Sequence, residues 1–396
     1  MVLSYCDKAV IFLLPILVLQ IFKDQTVYLS IEYIYSVTIV IIPFLDLGLV
    51  GYFFYIYRNK EDKRKIVNEV TKIFHVVYFI LFVLGFGIVC IHYFVFSIDD
   101  NIIYIVSRAI FLSTFAFLSS YYRLKNKPER GLYVTITANV ISLIFLFIFV
   151  LLDLEFDLWV IFIGQILFCI LYFLKILRHL FLKWSKYYKN LKLRSLIKSS
   201  LLFSWPTIIQ AFIMMYVANY GKIHTLDNLS SNDGVLLSIV QRFSMIIFLT
   251  HSSLLAYFVK ELYTDKDLFL IQKKTLLKYL CLLTISLVLV ALIIGVYLMH
   301  NVDVYDLKRS SLISVALLSY SFLSCVFSYL EMYYGRENKN IIKLFLALFI
   351  GVLFMTLLEF LKIDFLERIT FAMFVSIFVA LTLSIIILYK RNYKII

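Results

Sequence analysis

The segment IIPFLDLGLVGYFF, residues 41–54, is apolar apart from one carboxylate, Asp46. Placing a charge at the centre of a bilayer costs about 2.5–3.5 kcal/mol on insertion scales. Asp46 lies fourteen residues after Glu32 and twelve before Arg58. At about 1.5 Å per residue it is roughly 18–21 Å from either charge along a helix, so no interface is within its reach. The segment predicts a membrane helix whose carboxylate faces an internal cavity, or is held in a structural pair or by a hydrogen bond at a helix end.

The rest of the chain has the same apolar character. It has 396 residues, of which 63% are hydrophobic and 16% charged, with a mean hydropathy of +0.94. Soluble domains have about 45–50% apolar and about 25% charged residues. The apolar residues form blocks of about 20, enough for a helix to cross a hydrocarbon core, and do not alternate as in β-barrel strands. The sequence predicts an all-α polytopic membrane protein with about twelve transmembrane helices, at residues 5–22, 31–57, 73–96, 102–122, 132–152, 158–181, 201–222, 234–258, 276–298, 311–333, 341–361 and 368–389.

Three further residues of the opening segment affect its helix. Pro43 lacks a backbone donor and clashes with the carbonyl of Ile39, so we expect a kink three residues before the acid. Gly48 and Gly51 lack side chains and allow a neighbouring helix to approach closely. Together these residues predict a bent second helix that presents Asp46 to a cavity between the halves of the protein. A structural kink packed against a neighbour would use the same residues.

The distribution of basic residues predicts the orientation. Thirty of the 38 Lys and Arg residues lie at the start of the chain, after the even-numbered spans or in the C-terminal tail. The opposite loops hold about six and are acidic instead, as at Asp99-Asp100. Because Lys and Arg stay on the cytoplasmic side during insertion, both termini are predicted to be cytoplasmic. The net charge of +13 is therefore mostly a topology signal and does not indicate a nucleic-acid partner.

The chain is predicted to consist of two six-helix bundles, residues 1–182 and 201–396. Residues 183–200 between them alternate basic with apolar and aromatic residues. This pattern indicates an amphipathic helix on an anionic cytoplasmic leaflet, although a solvated linker could have the same pattern. The first span of each half contains a proline, Pro15 or Pro206. Since each half has an even number of spans, the predicted pseudo-two-fold axis runs along the membrane normal, with a substrate path between the halves.

Five segments of the chain carry a family resemblance, together with the span count and length: Asp46-Leu-Gly48-Leu, Phe203-Ser-Trp-Pro206, Asn219-Tyr-Gly-Lys222, Leu229-Ser-Ser-Asn-Asp-Gly234 and Leu237-Ser-Ile-Val-Gln-Arg242. They resemble the Wzx-type flippases for lipid-linked O-antigen and related polysaccharides, which belong to the multidrug/oligosaccharidyl-lipid/polysaccharide (MOP) export superfamily. One departure is Tyr220-Gly221-Lys222, where that family often has an acid before the basic residue that ends the seventh span. The resemblance implies alternating access by rocking of two bundles in the bacterial inner membrane.

Three cations are candidate ligands for an anionic substrate. Arg108 and Arg242 lie inside predicted spans, and Lys222 ends the seventh. A guanidinium matches phosphate oxygens well, so these residues are predicted to bind the diphosphate of a lipid-linked oligosaccharide. Snorkelling of Arg108 and an interfacial anchor at Lys222 are the plainer alternatives. Asp46, with Pro43 and Gly48, is the predicted ion-coupling or gating element.

The sequence contains no phosphate-binding loop, no H-E-x-x-H and no G-x-S-x-G. Its five cysteines are scattered singly, so neither disulfides nor a metal site are indicated, and no cofactor is predicted. The resemblance implies a transporter and not an enzyme, whose partners are polyprenyl-diphosphate-linked oligosaccharide, membrane lipids and other membrane proteins of polysaccharide assembly.

Two alternative functions remain open. The first is a membrane enzyme of the same pathways, such as an O-antigen polymerase or an acyltransferase; polymerases usually carry a large outer loop, whereas the outer loops here are about a dozen residues or shorter. The second is a multidrug exporter of the same superfamily. Exporters of cations favour acidic cavities, whereas the deep charges here are one acid and two arginines.

Overall fold

The computed structural model describes residues 2–50, 52, 57, 63–95, 101–125, 127–183, 193–264, 270–301, 304–336 and 339–392. These residues form twelve long helices and one helical turn, Thr225–Asn228. The long helices are α1 Val2–Phe22, α2 Gln25–Leu45, α3 Lys63–Val95, α4 Asn101–Leu124, α5 Pro128–Leu151, α6 Trp159–Lys183, α7 Leu193–Ile223, α8 Ser231–Thr264, α9 Leu270–His300, α10 Leu307–Arg336, α11 Asn340–Phe360 and α12 Phe365–Asn392.

The predicted helical membrane architecture is confirmed. Eleven of the described helices, α2 to α12, are long and apolar enough to cross a membrane. The described apolar part of α1, Val10–Phe22, is shorter. The chain is thus a multi-pass membrane protein, whereas the cytoplasmic placement of its termini stays a prediction.

The chain divides into two compact units, Met1–Phe212 and Ile213–Ile396, so that α7 contributes to both. Of the predicted linker at 183–200, residues 184–192 lie outside the described residues. The predicted division into two bundles and a linker therefore stays a prediction.

In the first unit α4 is central and packs against α2, α3, α5 and α6. Phe74 of α3 stacks on Phe117 of α4 with the ring planes 5° apart. The buried hydroxyl of Tyr78 on α3 donates to the carbonyl of Cys169 on α6 at 3.1 Å. Burial of such rings stabilises the bundle by dispersion, and the tyrosine oxygen is satisfied by a backbone acceptor.

In the second unit α10 is central and packs against α8, α9, α11 and α12. A buried hydrogen-bond chain joins three of these helices. The Nδ1 atom of His251 lies 2.6 Å from the hydroxyl of Tyr279, which donates to the carbonyl of Cys325 at 3.1 Å. In both units the second and third helices contact the fourth, and the fourth contacts the fifth and sixth. The same pattern of helix contacts thus occurs in both units. The two-fold axis that would relate them stays a prediction.

Candidate functional site

The opening segment contains a helix end and a left-handed turn. Helix α2 ends at Leu45, and Asp46 is its C-cap, with φ −71° and ψ −14°. The next two residues have positive φ, 47° at Leu47 and 62° at Gly48. This is the backbone conformation that ends many helices, and it is strained for a residue with a side chain. Helical geometry then resumes at Leu49 and Val50.

The prediction of one continuous span over 31–57 is therefore wrong, because the helix is interrupted at residues 46–48. The predicted kink at Pro43 stays a prediction. Pro43 lies within α2, and the interruption follows the acid. The left-handed residues Leu47 and Gly48 end the helix, because they redirect the chain.

Side chains from two other helices hold this turn. The Ser113 hydroxyl on α4 donates to Oδ1 of Asp46 at 2.8 Å. On α7, Ser200 donates to the carbonyl of Leu47 at 3.0 Å, and Ser204 donates to the carbonyl of Gly48 at 3.1 Å. These hydroxyls partly satisfy polar groups that an interrupted helix exposes, as a low-dielectric interior requires.

Gly48 is also the point of closest approach between this turn and α7. A Cβ atom at Gly48 would lie 2.0 Å from Ser204 Cβ and 2.3 Å from Ser204 Oγ. Only a residue without a side chain fits that gap. The predicted close approach of a helix at Gly48 is confirmed; Gly51 lies outside the described residues.

Arg108 is 4% exposed within the first unit, so it does not snorkel to an interface. Its guanidinium carbon lies 3.6 Å above the ring centre of Tyr35 on α2, a cation–π contact. Nη1 of Arg108 donates to Oε1 of Gln165 on α6 at 3.3 Å. Arg108 thus joins α2, α4 and α6. It precedes Ser113 by five residues, about 7.5 Å along α4, so it lies near the Asp46 turn.

Arg242 and Lys222 belong to the second unit and are 2% and 7% exposed, respectively. Lys222 is therefore buried instead of exposed at an interface. Next to Arg242, Gln241 on α8 donates to the carbonyl of Ala218 on α7 at 3.2 Å. Gly221 faces Leu237, because a Cβ atom there would lie 2.6 Å from Leu237 Cδ2. Leu237 therefore marks the level of Lys222 along α8. Arg242 is five residues beyond Leu237, which is about 7.5 Å along the helix.

The structure thus places Asp46, Pro43, Gly48 and, one helix away, Arg108 in the first unit, and Lys222 with Arg242 in the second. Sequence reasoning missed the serines that hold the turn. Their spacing was the available signal, because two serines four residues apart place both hydroxyls on one face of α7. Among the described residues there is no group of three or more His, Cys, Asp or Glu side chains that could hold a metal ion.

A second charged cluster, also missed, lies at the first turns of α8, α10 and α12. Arg309 of α10 contacts Asp233 at 3.0 Å, Glu367 at 3.2 Å and also Asp364. Its side chain is 30% exposed, so solvent screens these pairs in part. The cluster joins the ends of three helices of the second unit.

Replacing Arg309 with glutamine is expected to lower the free energy of unfolding by about 1 kcal/mol, because a partly exposed network contributes little more than a surface ion pair. Thermal unfolding in detergent measures the change, and 1 M salt should remove most of it through screening. The control is Lys308→Gln, which removes a neighbouring exposed charge and should leave the unfolding temperature unchanged. A loss for Arg309→Gln that persists in 1 M salt would contradict the electrostatic explanation.

No protein-family model matches the chain, and no curated protein matches it by sequence. Solved structures show the fold. A lipid II flippase, MurJ, in an inward closed conformation is similar over 98% of this chain and 87% of its own, with 15% identity and a TM-score of 0.60. The MATE multidrug transporter DinF-BH is similar over 97% of this chain and 92% of its own, with 14% identity and a TM-score of 0.61.

A third structure is a multidrug resistance MATE family transporter of the MOP superfamily in an inward-facing conformation. The similarity covers 99% of this chain and 95% of that one, with 11% identity and a TM-score of 0.53. The fold is thus similar to that of these three transporters. The similarity extends over nearly the whole length of each chain.

Proposed function

We propose that this protein is a flippase of the Wzx type, which moves a polyprenyl-diphosphate-linked oligosaccharide from the cytoplasmic to the outer leaflet of the bacterial inner membrane. The observation that carries the proposal is the burial of an arginine in each unit, Arg108 at 4% and Arg242 at 2% exposure. In an interior that excludes water, hydrogen bonds from a guanidinium to phosphate oxygens are strong. Together with the shared fold of a lipid II flippase, these cations favour an anionic lipid-linked substrate.

The proposed ligands of the diphosphate are Arg242 and Lys222 of the second unit and, separately, Arg108 of the first. Arginine binds phosphate oxygens through two parallel hydrogen bonds, which a lysine cannot reproduce. Arg108 is stacked on Tyr35 and bonded to Gln165. During alternating access, phosphate oxygens would replace Gln165 as the hydrogen-bond acceptor of Arg108. The cation–π contact with Tyr35 would keep the guanidinium in place.

The proposed coupling element is the turn at Asp46–Gly48. Interrupted helices of transporters bring carboxylates and free backbone carbonyls into the membrane interior, where these groups bind ions. Asp46 supplies the carboxylate, and the nearest charged residues along the chain, Glu32 and Arg58, are more than ten residues away. Entry of a proton or a sodium ion would neutralise Asp46 and change its bond with Ser113, which connects α2 to α4.

A multidrug exporter is the second candidate, because two of the similar structures are multidrug transporters. The deep cations are the feature that favours the flippase over this alternative. A glycan polymerase fits less well, since the connections 23–24, 152–158 and 361–364 are short.

Replacing Arg242 with glutamine is expected to lower translocation of the lipid-linked oligosaccharide about tenfold to a hundredfold. A hydrogen bond to a charged group contributes about 1.5–3 kcal/mol, and each 1.4 kcal/mol is a factor of ten. The measurement uses purified protein in liposomes with a fluorescent polyprenyl-diphosphate oligosaccharide, and follows the fraction that becomes accessible to a membrane-impermeant quencher.

Lys308→Gln, an exposed charge change in the same unit, is the matched control and should translocate like the unmodified protein. Size-exclusion profiles establish that both variants are folded. Unchanged translocation by a folded Arg242→Gln variant would remove Arg242 from the site. A protein that moves a cationic dye but no oligosaccharide would be an exporter, and the proposed function would be wrong.

A further inference from the structure

Helix α7 has two different faces over residues 194–205. One face holds the α2 turn through Ser200 and Ser204, as described above. Near these serines Ile197 packs against the cluster formed by Leu49, Ile73 and Val77. This inner face is therefore committed to packing within the first unit.

The adjacent face lines a surface groove of about 540 Å³, and Ile197 lies at the border between the two faces. Two exposed cations, Arg194 and Lys198, lie at its N-terminal end, one helical turn apart. Exposed apolar side chains continue along the same face, among them Leu202 at 65% and Trp205 at 45% exposure. The complete lining is Arg194, Ile197, Lys198, Leu201, Leu202 and Trp205.

Within the described residues, no carboxylate neutralises the charge of this groove. Within the described parts of the chain, neither Arg194 nor Lys198 forms an ion pair with a carboxylate. The groove of about 610 Å³ beside Arg309 is different, because its lining includes Asp306 and Glu367, and Arg309 is already paired. Of these two grooves, the one on α7 is complementary to an anion.

We propose that the groove on α7 binds an anionic phospholipid, with the phosphate between Arg194 and Lys198 and an acyl chain along Leu201, Leu202 and Trp205. The spacing fits an amphiphile. Trp205 is seven residues beyond Lys198, about 10 Å along the helix, which places it beside the upper half of an acyl chain whose phosphate contacts the lysine. A phosphodiester carries one negative charge, and basic side chains at the membrane surface attract such headgroups. Tryptophan is also the residue most suited to the boundary between headgroups and hydrocarbon.

This site goes beyond the proposed transport function, because it requires neither the oligosaccharide nor the coupling ion. It also has a consequence for the turn. The bound lipid would hold the N-terminal part of α7, whose other face donates the hydroxyls of Ser200 and Ser204 to the carbonyls at the α2 turn. An anionic lipid would thus stabilise the contact between α7 and the interrupted helix.

The test measures quenching of Trp205 fluorescence by brominated lipids in nanodiscs. The chain has three tryptophans, so Trp159→Phe and Trp184→Phe leave Trp205 as the sole probe. Brominated phosphatidylglycerol and brominated phosphatidylcholine have the same chains and differ in headgroup charge. We expect phosphatidylglycerol to reach half-maximal quenching at an about tenfold lower mole fraction, since each basic residue strengthens attraction to an anionic lipid severalfold.

The variant Arg194→Gln/Lys198→Gln should abolish this difference between the two lipids. The matched control is Arg123→Gln/Arg130→Gln, which removes two exposed cations of α4 and α5 and should preserve it. Equal quenching by both lipids in the unmodified groove would overturn the proposal, as would a difference that survives loss of Arg194 and Lys198. Preferential quenching by a brominated polyprenyl diphosphate alone would assign the groove to the transport substrate and would equally overturn it. Translocation assays of the same variants test the proposed function separately. Failure of the lipid site and failure of the proposed function can therefore be distinguished.

Discussion

Gly48→Ala is expected to destabilise the protein by about 3 kcal/mol, the largest single effect that the structure predicts on folding. A left-handed backbone costs a residue with a Cβ atom about 1–2 kcal/mol. The new methyl group would also lie 2.0 Å from Ser204 Cβ, and forced overpacking of this kind costs about 1–3 kcal/mol. Chemical unfolding in detergent, followed by tryptophan fluorescence, measures the loss.

A second substitution separates the two causes. Ser204→Gly removes the atoms that the new methyl group would meet, so the double variant should recover the packing part of the loss and retain the backbone part. Gly87→Ala is the matched control, because Gly87 lies in α3 and no atom would lie within 4 Å of the added Cβ. That control should be neutral or slightly stabilising, since alanine favours a helix over glycine by about 1 kcal/mol. Equal stability of Gly48→Ala and Gly87→Ala would contradict the close contact between the turn and α7.

Asp46→Asn is expected to lower gradient-driven transport by about tenfold or more while the protein stays folded. The amide has nearly the shape of the carboxyl group, and its oxygen can still accept the hydrogen bond from Ser113. It cannot change its charge, so neither a proton nor a sodium ion is released or taken up at this position. A tenfold loss corresponds to about 1.4 kcal/mol in the activation free energy. The measurement compares oligosaccharide translocation into liposomes with and without proton or sodium gradients.

Ser113→Ala is the informative comparison for this prediction. It removes the hydrogen bond to Asp46 but keeps the titratable carboxyl group, so a coupling role predicts that transport still responds to the gradient. If Ser113→Ala and Asp46→Asn reduce transport equally, the pair is a structural contact between α2 and α4. An Asp46→Asn variant that retains the full gradient response would also rule out the coupling role.

Much of the fold follows from the sequence, because insertion of a helix depends on the summed transfer free energy of its own residues. Ten of the eleven helices long and apolar enough to cross a membrane therefore match predicted spans, and α2 overlaps its predicted span over 31–45. Gly48 was correctly predicted as a point of close approach, since a glycine in an apolar membrane segment lets a neighbouring helix pack against its backbone. The interruption at residues 46–48 was not predicted, since the sequence indicated a kink at Pro43 within one span over 31–57.

The environment of each charge was not predictable from the sequence. Arg108 sits between Tyr35 and Gln165, residues 73 and 57 positions away in the chain, and Arg309 meets three carboxylates from α8, α12 and the connection before α12. A count of residues from the nearest polar loop describes depth along one helix. It contains no information about which neighbour faces the side chain.

The sequence alone determined that the chain is a multi-pass helical membrane protein with a carboxylate and two arginines inside predicted spans, because hydrophobicity and chain length are local properties. Only the tertiary structure decided where the second helix breaks and what holds the break. The left-handed turn at Leu47 and Gly48 is stable because Ser200 and Ser204, more than 150 positions later, donate to its carbonyls. A contact of that sequence separation arises from the packing of α7 against the turn, which no local pattern specifies.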